Sequence, residues 1–230
     1  MQDLGVGKST FALQIAEKVA SRGIHVGFVS LEMSTTQIIN KIVAKRAKVN
    51  ANNLRNGTLT EIQIPKVAEA FQKISELPIT ILTKTNSIQK IESETRKLKN
   101  KKNLGLLVID YLQLVKNQNK FNSREQEVAD ISRTLKLLSL ELEIPIIALC
   151  QLNRNASRQK PTLADLRESG AIEQDADNVI FLYTEKENQE ANPTPIVIVD
   201  LQKQRAGGTG QVRVIFDKKF SEFKNILQGF

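Results

Sequence analysis

The chain has 230 residues, of which 40% are hydrophobic and 25% are charged, and its formal net charge is +8. This length suits one domain with a large core, and the composition excludes an intrinsically disordered chain. A single cysteine, Cys150, and a single histidine, His25, exclude an internal disulfide and a His/Cys metal cluster. No apolar run approaches the ~18 residues that cross a bilayer, so we expect no membrane segment. The positive charge is compatible with binding a polyanion, although solubility alone would explain it equally well.

The first predicted element is a phosphate-binding loop that leads into a helix. The run Gly5-Val6-Gly7-Lys8-Ser9 matches the distal half of the P-loop pattern GxxxxGK[ST], and apolar residues then recur at helical spacing. Backbone N–H groups of such a loop surround phosphate oxygens, while Lys8 would reach the terminal phosphates and Ser9 would ligate Mg²⁺. A chance Gly-Lys-Ser turn before a helix is the simpler alternative. The predicted nucleotide-binding residues are Gly5, Val6, Gly7, Lys8, Ser9 and Thr10.

This loop is incomplete at its start. Gln2 occupies the position of the first P-loop glycine, and the apolar strand that normally precedes the loop would lie before Met1. In a parallel sheet of this kind that strand is central, so its loss would remove paired backbone groups and core side chains together. We therefore expect a fragment, a split product or a chain whose true start lies upstream.

Apolar runs predict seven strands along the rest of the chain. Several are apolar almost throughout, as buried parallel strands are when helices cover both faces of a sheet. Helical periodicity between Arg124 and Glu143 predicts a long helix. The last two strands should pair antiparallel, because the segment Gln202–Gly210 is too short for a helical crossover. The predicted strands are His25–Ser30, Ile79–Leu82, Gly105–Ile109, Pro145–Cys150, Asn178–Leu182, Ile196–Leu201 and Gln211–Phe216.

Together these elements predict an α/β fold of the P-loop NTPase class. Its sheet should be twisted and mainly parallel, flanked by helices, with an antiparallel hairpin near the C-terminus. No repeat or linker divides the sequence, so we expect residues 1–230 to form one domain.

Three polar side chains stand where predicted strands end. Asp110 follows Gly105–Ile109, a Walker B pattern in which the carboxylate holds the metal, usually through water. Glu32 could polarise the attacking water, although a carboxylate at the start of a helix, before Ser34, is the alternative. Gln151 could sense the terminal phosphate, although a solvent-facing cap is nearly as good an explanation.

Four stretches resemble the C-terminal domain of DnaB-type replicative helicases, in that family's order and over nearly the whole chain. The third, LADLRESGAIEQDAD, is long enough that coincidence is negligible. The four stretches are Phe28–Met33, Val108–Leu114, Leu163–Asp177 and Lys203–Arg205. The resemblance implies a RecA-like fold and an ATP-driven homohexameric ring that encloses single-stranded DNA and displaces the other strand.

The resemblance also implies a role for each residue at the predicted nucleotide site. Lys8 and Ser9 would contact ATP and Mg²⁺, and Asp110 would be the metal-associated carboxylate. Glu32 would be the catalytic base and Gln151 the phosphate sensor.

Two cations near the C-terminus are implied to act on the ATP of the neighbouring subunit. These are Lys203 and Arg205, of which Arg205 resembles an arginine finger. Residues two apart on an extended strand project to the same side, so both could reach one phosphate group across an interface. A basic turn leading to Gly207 is the alternative.

Arg167, Glu168 and Gly170 match the loop that this family presents to the DNA backbone. A loop that ignores base identity needs glycine for close approach and backbone donors for phosphate. Helix capping is the alternative role for the same residues.

The resemblance extends to partners and compartment. Family members carry an N-terminal domain that stabilises the ring and contacts primase, and a helicase loader is expected as well. This chain lacks that domain, so we expect it to form rings poorly when isolated. A bacterial cytoplasm is the default location, and the Lys and Asn content also suits a plastid stroma.

Two other functions remain open at this stage. A RecA-like recombination or repair ATPase would share the P-loop, the base and the Walker B aspartate, but should differ over Arg167–Asp177. A non-hydrolysing DNA-binding fragment would explain the incomplete P-loop, and nucleotide binding would decide that question.

Overall fold

The computed structural model describes residues 6–152, 160–184 and 192–226, with residues 167–169 described by their backbone. The helices are α1 Lys8–Ala20, α2 Thr35–Ala47, α3 Ala51–Asn56, α4 Gln63–Ser75, α5 Ile88–Lys102, α6 Arg124–Leu142 and α7 Gly170–Asp175. The strands are β1 His25–Ser30, β2 Ile79–Leu82, β3 Leu104–Asp110, β4 Ile146–Ala148, β5 Asn178–Thr184, β6 Ile196–Gln204, β7 Gly210–Asp217 and β8 Glu222–Asn225. Within the described residues, 3₁₀ segments lie at Leu112–Leu114 and Leu163–Ser169.

The first four strands form a parallel sheet in the order β2-β1-β3-β4. Helices cover both of its faces, and alternate residues of β3 supply the two cores. Leu106 and Val108 pack with α1 and α2, whereas Leu107 and Ile109 pack with α5 and α6. The apolar runs of β1 and β3 therefore reflect burial on both faces, as the sequence predicted.

The last four strands form a separate antiparallel sheet in the order β5-β6-β7-β8. The antiparallel pairing of β6 with β7 was predicted, but two features of this sheet differ from the prediction. The strand β5 pairs antiparallel with β6, and its residues alternate between buried Val179, half-exposed Ile180 and buried Phe181. An apolar residue on the exposed face concealed that alternation from the sequence. The strand β8 was not predicted, since Phe223 is its single apolar residue.

Most of the predicted bounds are close to the observed ones. The bounds of β1 and β2 agree with the prediction, whereas β4 is shorter than predicted because it pairs with β3 over three residues. The helix α6 begins after Ser123, whose hydroxyl accepts a hydrogen bond from the Gln126 N–H at 3.2 Å. It ends before Glu143, which has a left-handed φ of 51°.

The helix α1 links the two sheets. On one side it packs on the parallel sheet, and on the other Phe11 meets the ring of Phe223 edge to face at 5.2 Å. Gln14 holds β8 as well, because its side chain accepts from the Phe223 N–H and donates to the Phe223 carbonyl, both at 2.9 Å. Among the described helices, none has the length and apolar composition needed to cross a membrane.

Candidate nucleotide site

The amino end of α1 is shaped to receive an anion. Gly7 precedes the helix with φ 84° and ψ 26°, a left-handed conformation that favours glycine, and it supplies no side chain to cap the helix. A Cβ atom there would lie 2.9 Å from Phe223 Cζ. The first turn holds no acidic residue and no side-chain cap among the described residues, so the positive end of the helix dipole favours a phosphate there.

Lys8 extends from this helix to the end of a neighbouring strand. Its Nζ donates a hydrogen bond to the carbonyl oxygen of Cys150, just after β4, at 3.3 Å. Burial raises the pKa of the Cys150 thiol to about 12, against the opposing effect of the Lys8 charge. The thiol is therefore neutral near pH 7.

Asp110 ends β3 beside Lys8 and is only 2% exposed. Burial raises the pKa of this carboxyl, as does the negative charge of Glu32, whereas a hydrogen bond from Ser9 lowers it. Its Oδ2 atom is buried and has no hydrogen-bond partner among the described residues. A buried carboxylate oxygen without a hydrogen-bond partner requires an explanation. Coordination of a hard cation such as Mg²⁺ by this oxygen would provide one.

Glu32 lies in the turn after β1, close to Asp110. The Leu31 N–H donates to the Asp110 carbonyl oxygen at 2.8 Å, which ties that turn to the end of β3. The Ser30 hydroxyl accepts from the Met33 N–H at 3.1 Å and donates to the Met33 carbonyl at 2.9 Å. Glu32 is exposed at the tip of the turn that these hydrogen bonds close.

The start of α2 is capped without Glu32. The Ser34 hydroxyl accepts from the Gln37 N–H at 3.3 Å, and the Gln37 side chain accepts from the Ser34 N–H at 2.9 Å. This capping box satisfies the N–H groups that the alternative role would have assigned to the Glu32 carboxylate.

Gln151 follows β4 as an exposed residue whose backbone is held by another glutamine. The Gln151 N–H donates to Gln113 Oε1 at 3.2 Å, and Gln113 Nε2 donates to the Gln151 carbonyl at 3.1 Å. Gln113 therefore fixes the backbone at Gln151. The sequence analysis did not assign this role to Gln113.

The sequence analysis also missed a third cation at the site, Lys41 of α2. Its Nζ donates to the hydroxyl of Thr10 at 3.2 Å, and Thr10 is buried in the first turn of α1. Burial lowers the pKa of Lys41, and the negative charge of Asp110 opposes that shift. One signal was available, since Lys41 lies directly before Ile42 and three residues after Ile38, both of them buried positions of an amphipathic helix.

The two cations predicted to act on a neighbouring subunit lie elsewhere. Lys203 donates to the Glu173 carbonyl oxygen, and Arg205 Nη2 donates to the Gln174 carbonyl oxygen at 2.6 Å. Both side chains thus reach the carboxyl end of α7. Within the described residues, the structure does not bring either cation to Lys8 or Asp110.

Three predicted site residues are described in part or not at all. Gly5 lies outside the described residues, as do the side chains of Arg167 and Glu168, whose backbone belongs to the 3₁₀ segment Leu163–Ser169. Gly170 is exposed and begins α7. The start of the 3₁₀ segment is capped by Thr162 with Asp165.

These features define a class of protein. A parallel sheet, an uncapped helix start after a glycine turn and a carboxylate at the end of an adjacent strand are the parts of a P-loop nucleotide-binding site. The family profile for the DnaB-like helicase C terminal domain matches residues 4–225. The chain therefore belongs to the DnaB-like helicase C-terminal domain family.

Named relatives agree with this assignment. The replicative DNA helicase DnaB of Geobacillus stearothermophilus is 40% identical over 98% of this chain and 51% of its own length. A probable replicative DNA helicase of Trieres chinensis is 38% identical over 95% of this chain and 50% of its own length. The chain thus spans about half the length of these relatives.

Solved structures support the same fold. The structure of a DnaB-like replicative helicase and its interactions with primase superposes with a TM-score of 0.89 at 33% identity, over 97% of this chain and 55% of that one. A KaiC-like protein from Pyrococcus horikoshii has a TM-score of 0.64 at 18% identity, over 96% of this chain and 84% of that one. The second likeness concerns the fold alone, which is RecA-like.

Proposed function

We propose that this chain is the ATPase motor of a replicative DNA helicase, which hydrolyses ATP at the subunit interfaces of a hexameric ring and moves along single-stranded DNA. One observation carries the proposal. The buried, unpartnered Asp110 oxygen lies with Ser9 and Lys8 at the open amino end of α1, which is the arrangement that a magnesium–triphosphate complex requires. Family membership favours this function over a recombination or repair ATPase.

Each side chain at this end has a distinct task. Ser9 and Asp110 would hold Mg²⁺, which neutralises charge on the phosphates when it is bound. The backbone N–H groups from Val6 to Thr10, in the loop and at the start of α1, would surround phosphate oxygens. Lys8 would leave the Cys150 carbonyl to meet the terminal phosphate.

Glu32 would orient and polarise the attacking water. Its turn is held to the end of β3 by the Leu31–Asp110 hydrogen bond, which keeps the Glu32 backbone beside Asp110. Gln151, with its backbone fixed by Gln113, would contact the terminal phosphate and transmit its loss to the adjoining loop.

The second half of the site would come from the next subunit. The side chains of Lys203 and Arg205 both donate to carbonyl oxygens of α7, away from the phosphate site of the same chain. In a ring each would stabilise charge that develops on the neighbour's ATP during transfer, as an arginine finger does.

The remaining assignments concern DNA and partners. Arg167, Glu168 and Gly170 would face the DNA backbone in the central channel, where glycine permits close approach. Primase and a helicase loader are the expected protein partners. The proposed compartment is a bacterial cytoplasm or a plastid stroma, since the named relatives are bacterial and algal.

Mixed rings test the split site. The chain would be joined to the preceding half of the Geobacillus stearothermophilus relative, and this chimeric helicase would be prepared with either Glu32→Ala or Arg205→Ala. Each variant alone should lack DNA-stimulated ATP hydrolysis. Mixed before assembly, they should regain it, because some interfaces then combine an intact Glu32 with an intact Arg205. Absence of any recovery, with mixed rings verified by mass spectrometry, would contradict the assignment of Arg205 to the neighbouring site.

A further inference from the structure

The junction between α7 and β5 holds an aspartate that touches the proposed trans-acting arginine. Asp177 lies two residues after the end of α7 and one residue before β5. Its carboxylate is 3.3 Å from Arg205 Nη1, and it accepts two hydrogen bonds from Lys136 Nζ of α6, at 2.6 and 2.8 Å. The Lys136 hydrogen bonds, together with the charges of Arg205 and Lys203, lower the pKa of Asp177. The carboxylate therefore stays charged near neutral pH and links α6 to Arg205.

The backbone of the same junction holds both cations. The Arg205 N–H donates to the Asp177 carbonyl at 2.9 Å, which fixes the chain as it leaves β6. The Lys203 and Arg205 side chains donate to the carbonyl oxygens of Glu173 and Gln174 near the carboxyl end of α7. Carbonyl oxygens at that end of a helix lack intrahelical partners, and cations there are favoured by the helix dipole. The rotamers of both cations are thus set by α7 and Asp177.

The opposite end of α7 is Gly170, a predicted DNA contact. A helix of six residues is about 9 Å long, so the two ends lie within one short, stiff element. That element is attached to α6 through Asp175, which accepts from the Ser132 hydroxyl at 2.9 Å and lies 3.7 Å from Arg133. A shift of the backbone at Gly170 would therefore move the carbonyl oxygens that hold Lys203 and Arg205.

We propose that Asp177 is a positioning residue for Arg205, and that α7 transmits contact with DNA at Gly170 to the two cations that act on the neighbour's ATP. This inference rests on the proposed function, because it assumes that Arg205 acts across an interface. Asp177 would act through Arg205 and would not itself touch the nucleotide. The competing explanation is that Asp177 merely secures α6 through Lys136.

The test uses Asp177→Asn in the chimeric helicase. Loss of the charge that pairs with Arg205 should lower kcat with single-stranded DNA by about tenfold, while KM for ATP changes by less than about twofold, since the ground-state contacts of the P-loop are retained. Stimulation by an oligo-dT strand, measured as the ratio of turnover with and without DNA, should fall with kcat. An equal loss of both rates would overturn the link through α7.

A mixing experiment separates positioning in trans from a structural role. Asp177→Asn subunits mixed with Glu32→Ala subunits should regain turnover, because the second variant donates a correctly held Arg205 to the intact site of the first. A defect within the subunit's own site would not be rescued. Asp177→Glu, which keeps the charge, should restore part of the turnover, and circular dichroism with a thermal melt should show each variant folded.

A matched charge control and the Arg205→Ala variant separate the role of Asp177 from the proposed function. Glu125→Gln removes one negative charge from an exposed position in the first turn of α6, so its kcat and DNA stimulation should stay unchanged. If Arg205→Ala is itself fully active, the proposed function fails. If Arg205→Ala is inactive and rescued in mixed rings while Asp177→Asn equals the parent, only the positioning role of Asp177 fails.

Discussion

The two ends of the proposed ATP site differ in how the fold presents them. At the phosphate end, Lys8 and Asp110 lie where α1 and β3 meet at one edge of the parallel sheet, and the charge of Lys8 opposes the rise in the pKa of Asp110 that burial causes. At the cationic end, Lys203 lies near the end of β6 and Arg205 directly after that strand, and α7 holds both side chains. The first end is assembled within one chain, whereas the second would be complete only against another copy.

This difference has a physical basis. Parallel strands bring their carboxyl ends to one edge, so groups far apart in sequence meet there without a partner. Cations at the end of an antiparallel strand have no such shared edge, and the structure satisfies them instead with helix carbonyl oxygens and Asp177. Perturbing the phosphate end should therefore affect both nucleotide binding and turnover, whereas perturbing the cationic end should affect turnover without changing binding.

The largest effect is expected from removing the cation of the P-loop. Lys8→Ala in the chimeric helicase should lower ATP turnover by about 100- to 1000-fold, as loss of a transition-state charge contact does elsewhere. The fold should persist, because Lys8 is not one of the buried residues of α1 that form the core. Steady-state hydrolysis and a thermal melt would measure both outcomes. Unchanged turnover would remove the P-loop assignment.

The second effect concerns the contact between the two sheets at Gly7. In Gly7→Ala the new Cβ would lie 2.9 Å from Phe223 and 3.0 Å from Phe216, in a left-handed conformation. We expect nucleotide affinity to fall about tenfold, because the new side chain would displace the loop. A tenfold loss corresponds to about 1.4 kcal/mol of binding free energy. Titration with a fluorescent ATP analogue would measure it.

Gly23→Ala is the matched control for that substitution. Gly23 has φ 80°, but a Cβ there meets no heavy atom within 4 Å among the described residues. It should therefore carry the backbone strain, about 1 kcal/mol, without a loss of affinity. Equal affinity losses for the two variants would show that the rings behind Gly7 are irrelevant to the loop.

The smallest effect is expected at Lys41. Removing its hydrogen bond to Thr10 in Lys41→Met should lower turnover about fivefold, since a hydrogen bond of this kind contributes about 1 kcal/mol. Lys41→Arg should retain most of the rate. Lys66→Met, which removes an exposed lysine from α4, serves as the charge-matched control. A Lys41→Met variant as active as that control would exclude a role for this cation.

Local patterns predicted the parts of the fold that local physics determines. Doubly buried β1 and β3 carry uninterrupted apolar runs, and α6 carries a regular apolar stripe, so their bounds agree with the prediction to within one residue. The separate antiparallel sheet was not predicted in full, because Ile180 conceals the alternation of β5 and Phe223 alone marks β8.

The residues of the site also divide into those that a local motif reveals and those that only tertiary contacts reveal. Motif spacing singled out Lys8, Ser9 and Asp110, which the structure brings together. It could not single out Lys41 or Asp177, since a lysine on α2 and an aspartate before β5 acquire their roles from tertiary contacts alone. When a residue acquires its function from tertiary packing, the spacing of residues along the sequence does not reveal it.

The measurement that bears most directly on this account is calorimetric titration of the chimeric helicase with a non-hydrolysable ATP analogue, with and without Mg²⁺. The account predicts saturable binding that is strongest with Mg²⁺, weakened in Asp110→Asn and lost in Lys8→Ala. Absence of binding by the folded chimera, or equal binding by the parent and Lys8→Ala, would contradict it.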